Sequence, residues 1–124
     1  MILGLGVDLV DLRRFEREIA RCPWSREDAI FTEAEIRWCA ASRDPARQFA
    51  MCFAAKEALL KAMGTGAQSL AVFCDVEIWP SGRELQIVLH HQIKREAERL
   101  GMRNITLSIA ATKKHTGAMV IAES

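Results

Sequence analysis

Two carboxylates and two ammonium groups stand out among the residues able to do chemistry: Asp8, Glu57, Lys56 and Lys61. Asp8 sits in Gly4-Leu5-Gly6-Val7-Asp8-Leu9-Val10, a run otherwise built from glycine and aliphatic residues. A carboxylate there is costly unless it is paired, hydrogen-bonded or bound to a metal. Glu57 and Lys61 stand four apart in a helix-forming segment, so they neighbour each other on one face. That face also carries Ala50, Ala54 and Ala58 and is short of bulk. Asp8 with Glu57 makes a hard two-carboxylate oxygen site, the kind that holds Mg²⁺ together with water and ligand phosphates. Lys56 falls within the apolar stripe, where an ammonium must snorkel or find an anion. Gly64-Thr65-Gly66 follows the helix, and two glycines let backbone N–H groups approach a phosphate. Each feature also has a plain structural reading: a carboxylate bonded to helix N–H groups, a surface ion pair, a helix stop. Neither the P-loop nor the dinucleotide-binding glycine fingerprint occurs.

The elements that must position these residues follow from periodicity. Residues 2–10 alternate as a largely buried strand that places Asp8 on one face with Gly4 and Gly6, leaving room for another element or a ligand. Residues 11–21 read as a helix. Leu12, Phe15 and Ile19 form its apolar stripe, with Arg13, Arg14, Arg17 and Arg21 roughly opposite. Thr32-Glu33-Ala34-Glu35 is a capping box opening a helix to about Ser42. The strongest helix runs from an Asp44 N-cap and first-turn Pro45 to Gly64, with Phe49, Cys52, Phe53, Leu59, Leu60 and Met63 as its stripe. Strands follow at 74–78 and 85–89, turned by Pro80-Ser81-Gly82. A helix over 92–100 is stopped by Gly101, and strands come at 105–109 and 117–123. The predicted order is β-α-α-α-β-β-α-β-β. The fold class is α+β, one small domain over 1–124 with an antiparallel-rich sheet packed against one long helix. The last strand is apolar on both faces. A chain this small does not cover both, which predicts a subunit interface.

Composition narrows the function classes. The chain has 124 residues, half of them hydrophobic, and 17 basic against 16 acidic residues for a net charge of +1. That balance speaks against bulk nucleic-acid or membrane binding, as does the absence of tyrosine for an RNA- or DNA-binding reading of the arginine helix. The start, Met1-Ile2-Leu3-Gly4, lacks the features of a signal peptide, and the expected location is cytoplasmic. Cys22, Cys39, Cys52 and Cys74 show no paired spacing for zinc and read as buried free thiols.

At three segments the sequence resembles the acyl-carrier-protein synthase family of 4′-phosphopantetheinyl transferases. They are the Gly4-to-Val10 opening with Arg14 after it, Phe31-Thr32-x-x-Glu35, and the long block from Phe53-Ala54-Ala55-Lys56-Glu57-Ala58 through Lys61 to Gly64-Thr65-Gly66. The resemblance implies a homotrimer with coenzyme A in clefts between subunits. It places Asp8 and Glu57 as Mg²⁺ ligands, and Asp8, Glu57 and Lys61 as the catalytic set. Lys56, Lys61, Gly64, Thr65, Gly66, Gly82 and Arg83 stand at positions expected to bind coenzyme. The face with Arg13, Arg14, Arg17 and Arg21 would receive an acidic acyl carrier protein. The implied reaction is attack of a carrier serine on the β-phosphorus of coenzyme A, expelling 3′,5′-ADP, with Glu57 or a water it orients as the base. A non-catalytic module binding a nucleotide at Gly64–Gly66 is the alternative, and retention of both carboxylates favours the enzyme. The chain departs from the family at Cys52, where members often have arginine, at Gly82-Arg83-Glu84, which loses a proline, and at Ser108-Ile109-Ala110-Ala111, which lacks a histidine.

Overall fold

The computed structural model of the chain describes residues 1–21, 30–64 and 70–124. Strand β1 (Ile2–Asp11) leads directly into helix α1 (Leu12–Arg21), and α2 (Glu33–Ala40) and α3 (Pro45–Met63) follow. A 3-10 helix (Leu70–Asp75) precedes β2 (Val76–Ser81) and β3 (Glu84–Leu89), and α4 (His91–Arg99), β4 (Asn104–Ala111) and β5 (His115–Glu123) complete the chain. The order is the one the sequence predicts. Several boundaries differ: Cys74 and Asp75 belong to the 3-10 helix rather than to β2, β2 runs on through Pro80 and Ser81, expected in the turn, and β5 starts at His115. No described helix is long and apolar enough to cross a membrane.

Local chemistry explains the ends. Thr32 caps α2 through its side chain, accepting from the Glu35 N–H while Glu35 reaches back to the Thr32 N–H, so the capping box is complete. Asp44 caps α3 by accepting from the Arg47 N–H, Pro45 occupies its first turn, and Gly64 closes it at φ 74°.

β1, β5 and β4 form one antiparallel sheet with β5 in the centre, and β2 and β3 form a separate hairpin. The register puts Gly6 opposite Val120 and Val120 opposite Leu107. Gly4, Gly6, Asp8 and Val10 therefore share a face with Thr116, Ala118, Val120 and Ala122 of β5 and with Ile105, Leu107 and Ile109 of β4. That face packs on α3, whose Ala54, Ala55, Ala58, Leu59 and Leu60 are all buried. The space beside Gly4 and Gly6 is taken by this helix. A Cβ on Gly6 would lie 1.8 Å from the Ala58 carbonyl oxygen, and one on Gly4 1.9 Å from that of Ala62.

The outer face of the sheet corrects the expectation of a largely buried β1. Leu5 is 57% and Leu9 71% exposed, and Leu3, Val7 and Met119 are exposed beside them. β5 is covered by α3 on its inner face alone, so only half of each strand's apolar surface is used within one chain.

Gly6→Ala tests the strand–helix contact. The added methyl meets rigid backbone, and overpacking of this kind costs about 1–3 kcal/mol or more. Chemical denaturation should show a loss at the upper end of that range for Gly6→Ala. Gly82→Ala, in open space at φ 63°, should cost about 1–2 kcal/mol from its left-handed backbone alone.

Candidate active site

The contact of β1 with α3 brings Asp8 to the helix face that carries Glu57 and Lys61. The Lys61 ammonium donates to Asp8 Oδ1 at 3.0 Å and to the Val7 carbonyl at 3.1 Å. Lys61 thus turns across to the strand for its carboxylate partner. The Asp8 side chain is 14% exposed and that of Lys61 51%, so the anion is held in place while the cation keeps freedom to move. Burial pushes the Glu57 carboxyl above its ordinary value, the Asp8 charge pushes in the same direction, and Lys61 opposes both. Such a pair of carboxylates gains from a cation between them.

Asp8 and Glu57 line a cleft of about 350 Å³. Phe15 and Phe53 form its apolar wall, and Asp11, Arg14, Glu18 and His115 add polar groups from the end of β1, from α1 and from the start of β5. Among the described residues, no group of three or more His, Cys, Asp or Glu side chains could hold a metal ion. Two protein carboxylates therefore set the limit. That is the usual count for Mg²⁺, which keeps several waters and takes its remaining oxygens from phosphates. In number and donor type Asp8 and Glu57 fit that ion.

Lys56 is elsewhere, which corrects its placement at a coenzyme position. Its side chain is fully buried on the far face of α3, donating to Glu35 Oε1 at 2.6 Å, to the Phe73 carbonyl at 2.9 Å and to the Ile30 carbonyl at 2.8 Å. All three of its donors are spent inside the protein. Glu35, also buried, accepts in addition from the Thr32 and Ile78 N–H groups. The Phe31 ring lies 5.4 Å from the Lys56 nitrogen and packs edge-on against Phe49. Phe31, Thr32, Glu35 and Lys56 together are thus a structural junction of α2, α3 and β2.

The arginine face also differs from expectation. Arg13, Arg14 and Arg17 are exposed, but Arg14 lines the same cleft as Asp8 and Glu57 and pairs with Glu18 at 3.0 Å. It does not belong to a separate surface. Gly82 and Arg83 form the turn of the β2–β3 hairpin and line no part of the cleft. Gly64 is an exposed α3 cap. Thr65, Gly66, Cys22 and the Arg21 side chain lie outside the described residues. Cys39 and Cys52 are free and buried, their sulfurs 3.7 Å apart, and Cys74 is half-buried. Asp11, Glu18 and His115 are polar cleft residues that sequence reasoning missed. Asp11 had one legible signal, its place as an acidic residue just before a helix.

The chain matches the 4′-phosphopantetheinyl transferase superfamily over residues 4–111. It is 38% identical to the holo-[acyl-carrier-protein] synthase of Koribacter versatilis over 99% of both chains. The chain belongs to the acyl-carrier-protein synthase family of phosphopantetheinyl transferases. Among solved members of this family, the Neisseria meningitidis holo-[acyl-carrier-protein] synthase superposes with a TM-score of 0.90 at 28% identity, with all of both chains covered. The Bacillus anthracis synthase, solved in complex with CoA (3′,5′-ADP), gives 0.78 at 29% identity over 100% of this chain and 98% of that one.

The placing of Lys56 yields a test independent of activity. Lys56→Met leaves the Glu35 carboxylate buried without its cation, which costs about 3–5 kcal/mol. Denaturant titration should show that loss. Replacing both partners by apolar residues, Lys56→Met with Glu35→Leu, should recover part of it; a double variant worse than the sum of the singles contradicts the pairing.

Proposed function

We propose that the chain transfers the 4′-phosphopantetheine group of coenzyme A to a serine of an apo acyl carrier protein and releases 3′,5′-ADP, with Mg²⁺ held by Asp8 and Glu57. The observation that carries this reading is the convergence of Asp8 and Glu57, from two distant segments, at one cleft, with Lys61 bonded to Asp8. Bound there, Mg²⁺ supplies charge neutralisation at the pyrophosphate oxygens. The rest is the work of the chain's own groups. Phosphoryl transfer asks for positioning and charge stabilisation more than for covalent help. Asp8, fixed by Lys61 on one side, offers its remaining oxygen to the cleft. Lys61, half exposed, can exchange Asp8 for a phosphate oxygen and offset the charge that develops on the leaving diphosphate. Phe15 and Phe53 keep water from one wall.

Arg14 at the cleft, with Arg13 and Arg17 exposed on the same helix, suits an acidic carrier protein. Steering of this type raises the association rate and weakens with salt. Gly64, Thr65, Gly66, Gly82 and Arg83 enter the proposal as coenzyme contacts on the strength of the family alone. The uncovered apolar face of β1 and β5 supports assembly into a trimer, which covers Leu5, Val7, Leu9 and Met119. A cytoplasmic setting, where coenzyme A is at hand, belongs to the same reading.

Incubation with coenzyme A, Mg²⁺ and an apo carrier protein should raise the carrier mass by one phosphopantetheine arm. Asp8→Asn and Glu57→Gln should each lower kcat/KM by about 10²-fold or more with the fold intact by circular dichroism. Full turnover by either variant at ordinary Mg²⁺ overturns the two-carboxylate site. Light scattering at micromolar concentration should give three chains per particle. A monomer that retains transferase activity contradicts the assembly.

A further inference from the structure

Asp11 and His115 face each other across β1 and β5 as the last pair of their ladder. The two oxygens of Asp11 have different tasks. Oδ1 accepts from the Arg14 N–H at 3.0 Å and caps α1, while Oδ2 lies 3.7 Å from His115 Nε2. The cap bond from the Arg14 N–H, helped by the Arg17 charge, outweighs desolvation and holds the Asp11 carboxyl below its usual range, so it is an anion at neutral pH. The backbone of His115 is fixed as well. Its N–H donates to Thr112 Oγ1 at 3.1 Å, and its carbonyl accepts from the Thr112 N–H at 2.8 Å. The imidazole is 45% exposed and lines the cleft that holds Asp8 and Glu57. Nε2 is the ring nitrogen that faces Asp11; with the ring proton on that side, the lone pair would be on Nδ1. A base oriented by a carboxylate behind it, at the edge of the reaction cleft, is the arrangement that activates a hydroxyl nucleophile.

We propose that His115, positioned by Asp11, is the base that takes the proton of the carrier serine. The inference rests on the transfer reading above. The serine Oγ–H bond breaks and its proton passes to His115 Nδ1. Oγ bonds to the β-phosphorus, and the bond from that phosphorus to the bridging oxygen of 3′,5′-ADP breaks, the electron pair leaving on that oxygen. Glu57 is the weaker candidate, because a carboxylate that holds a divalent cation has its lone pairs engaged. Other charged groups share the cleft or flank the imidazole: Asp8 on β1, Arg14 and Glu18 on α1, Glu57 on α3, and Lys113 and Lys114 in the turn before β5. Asp11 is the one that opposes the ring directly.

The test is single-turnover transfer to apo carrier protein across pH, with coenzyme A binding measured by calorimetry and assembly by light scattering, for the wild type, His115→Gln and Asp11→Asn. His115→Gln should lose about 10²-fold or more in the transfer rate, since a positioned base contributes at least that. It should keep coenzyme A affinity within about twofold, keep its state of assembly, and lose the acid limb of the rate profile that an imidazole base imposes between about pH 5 and 8. Added imidazole should restore part of the rate. Asp11→Asn still caps α1, so it should show a smaller loss and a displaced acid limb. An unimpaired His115→Gln, an unchanged acid limb, or a loss confined to coenzyme A affinity overturns the assignment, the last making His115 a phosphate contact. A wild type that leaves the carrier unmodified overturns the transfer reading itself, and is told apart by needing no variant.

Discussion

The backbone-to-backbone contact between β1 and α3 governs everything near the cleft. A strand advances about 6.7 Å in two residues and a helix about 6.0 Å in four, so the two periods run nearly in step when strand and helix lie along each other. Gly4 meets the carbonyl of Ala62 and Gly6 that of Ala58, two strand residues for one helical turn, with the chains running in opposite senses. One more step of the same register brings Asp8 to the turn that carries Glu57. Side chains at Gly4 or Gly6 would push the strand off the helix and carry Asp8 away from both Glu57 and Lys61. The glycines therefore have a positional role that is distinct from any freedom of φ, and the buried alanines of α3 are its counterpart.

Three successive charges on α3 meet different fates because they point in different directions. At about 100° per residue Lys56 leaves the helix on the side away from the sheet, whereas Glu57 and Lys61 share the sheet side. Lys56 enters the core between α2, the 3-10 helix and β2, where only a complete set of acceptors makes an ammonium tolerable. Glu35 and two carbonyl oxygens supply that set. The neighbouring Glu77 repeats the solution with side-chain donors. Its burial opposes ionisation, but hydrogen bonds from Thr32, Trp79 and His90 prevail and hold its carboxyl below the ordinary range. Thr32 serves both networks, as N-cap of α2 and as donor to Glu77, so the α2 entrance and the β2–β3 hairpin are locked together.

What was legible in the sequence was what local pattern encodes. The capping box at Thr32, the Asp44-Pro45 start and Gly64 stop of α3, and the Leu12-Phe15-Ile19 stripe each depend on residues within one element. Asp8 and Glu57 were legible because a carboxylate among glycines and a Glu–Lys step on an alanine face are anomalies that burial penalises. The partner of Lys56 was not legible, since it depends on how α2 and α3 cross to bring together two residues 21 apart along the chain. The Asp11–His115 pair needs the register of β1 on β5, which joins opposite ends of the chain. The exposure of β1 was misjudged for a related reason. Alternating apolar residues on both faces indicate burial of both, but not whether the second cover comes from the same chain.

The charge lining the cleft bears on how an anionic substrate can enter it. Asp8, Asp11, Glu18 and Glu57 contribute four carboxylates, against Arg14 and the imidazole of His115. Lys61 engages Asp8, Arg14 engages Glu18, and Asp11 is turned toward His115. Glu57 is the carboxylate whose ionisation burial and the Asp8 charge resist. On the proposed reading, a diphosphate approaching this surface would meet repulsion at the site of reaction. A divalent cation held by Asp8 and Glu57 would offset that negative charge, and Lys61, freed from Asp8, would add to the positive potential. On the proposed reading the carboxylates do not attract the substrate at all. They hold the cation that does, and the order of the two binding steps follows from their charge.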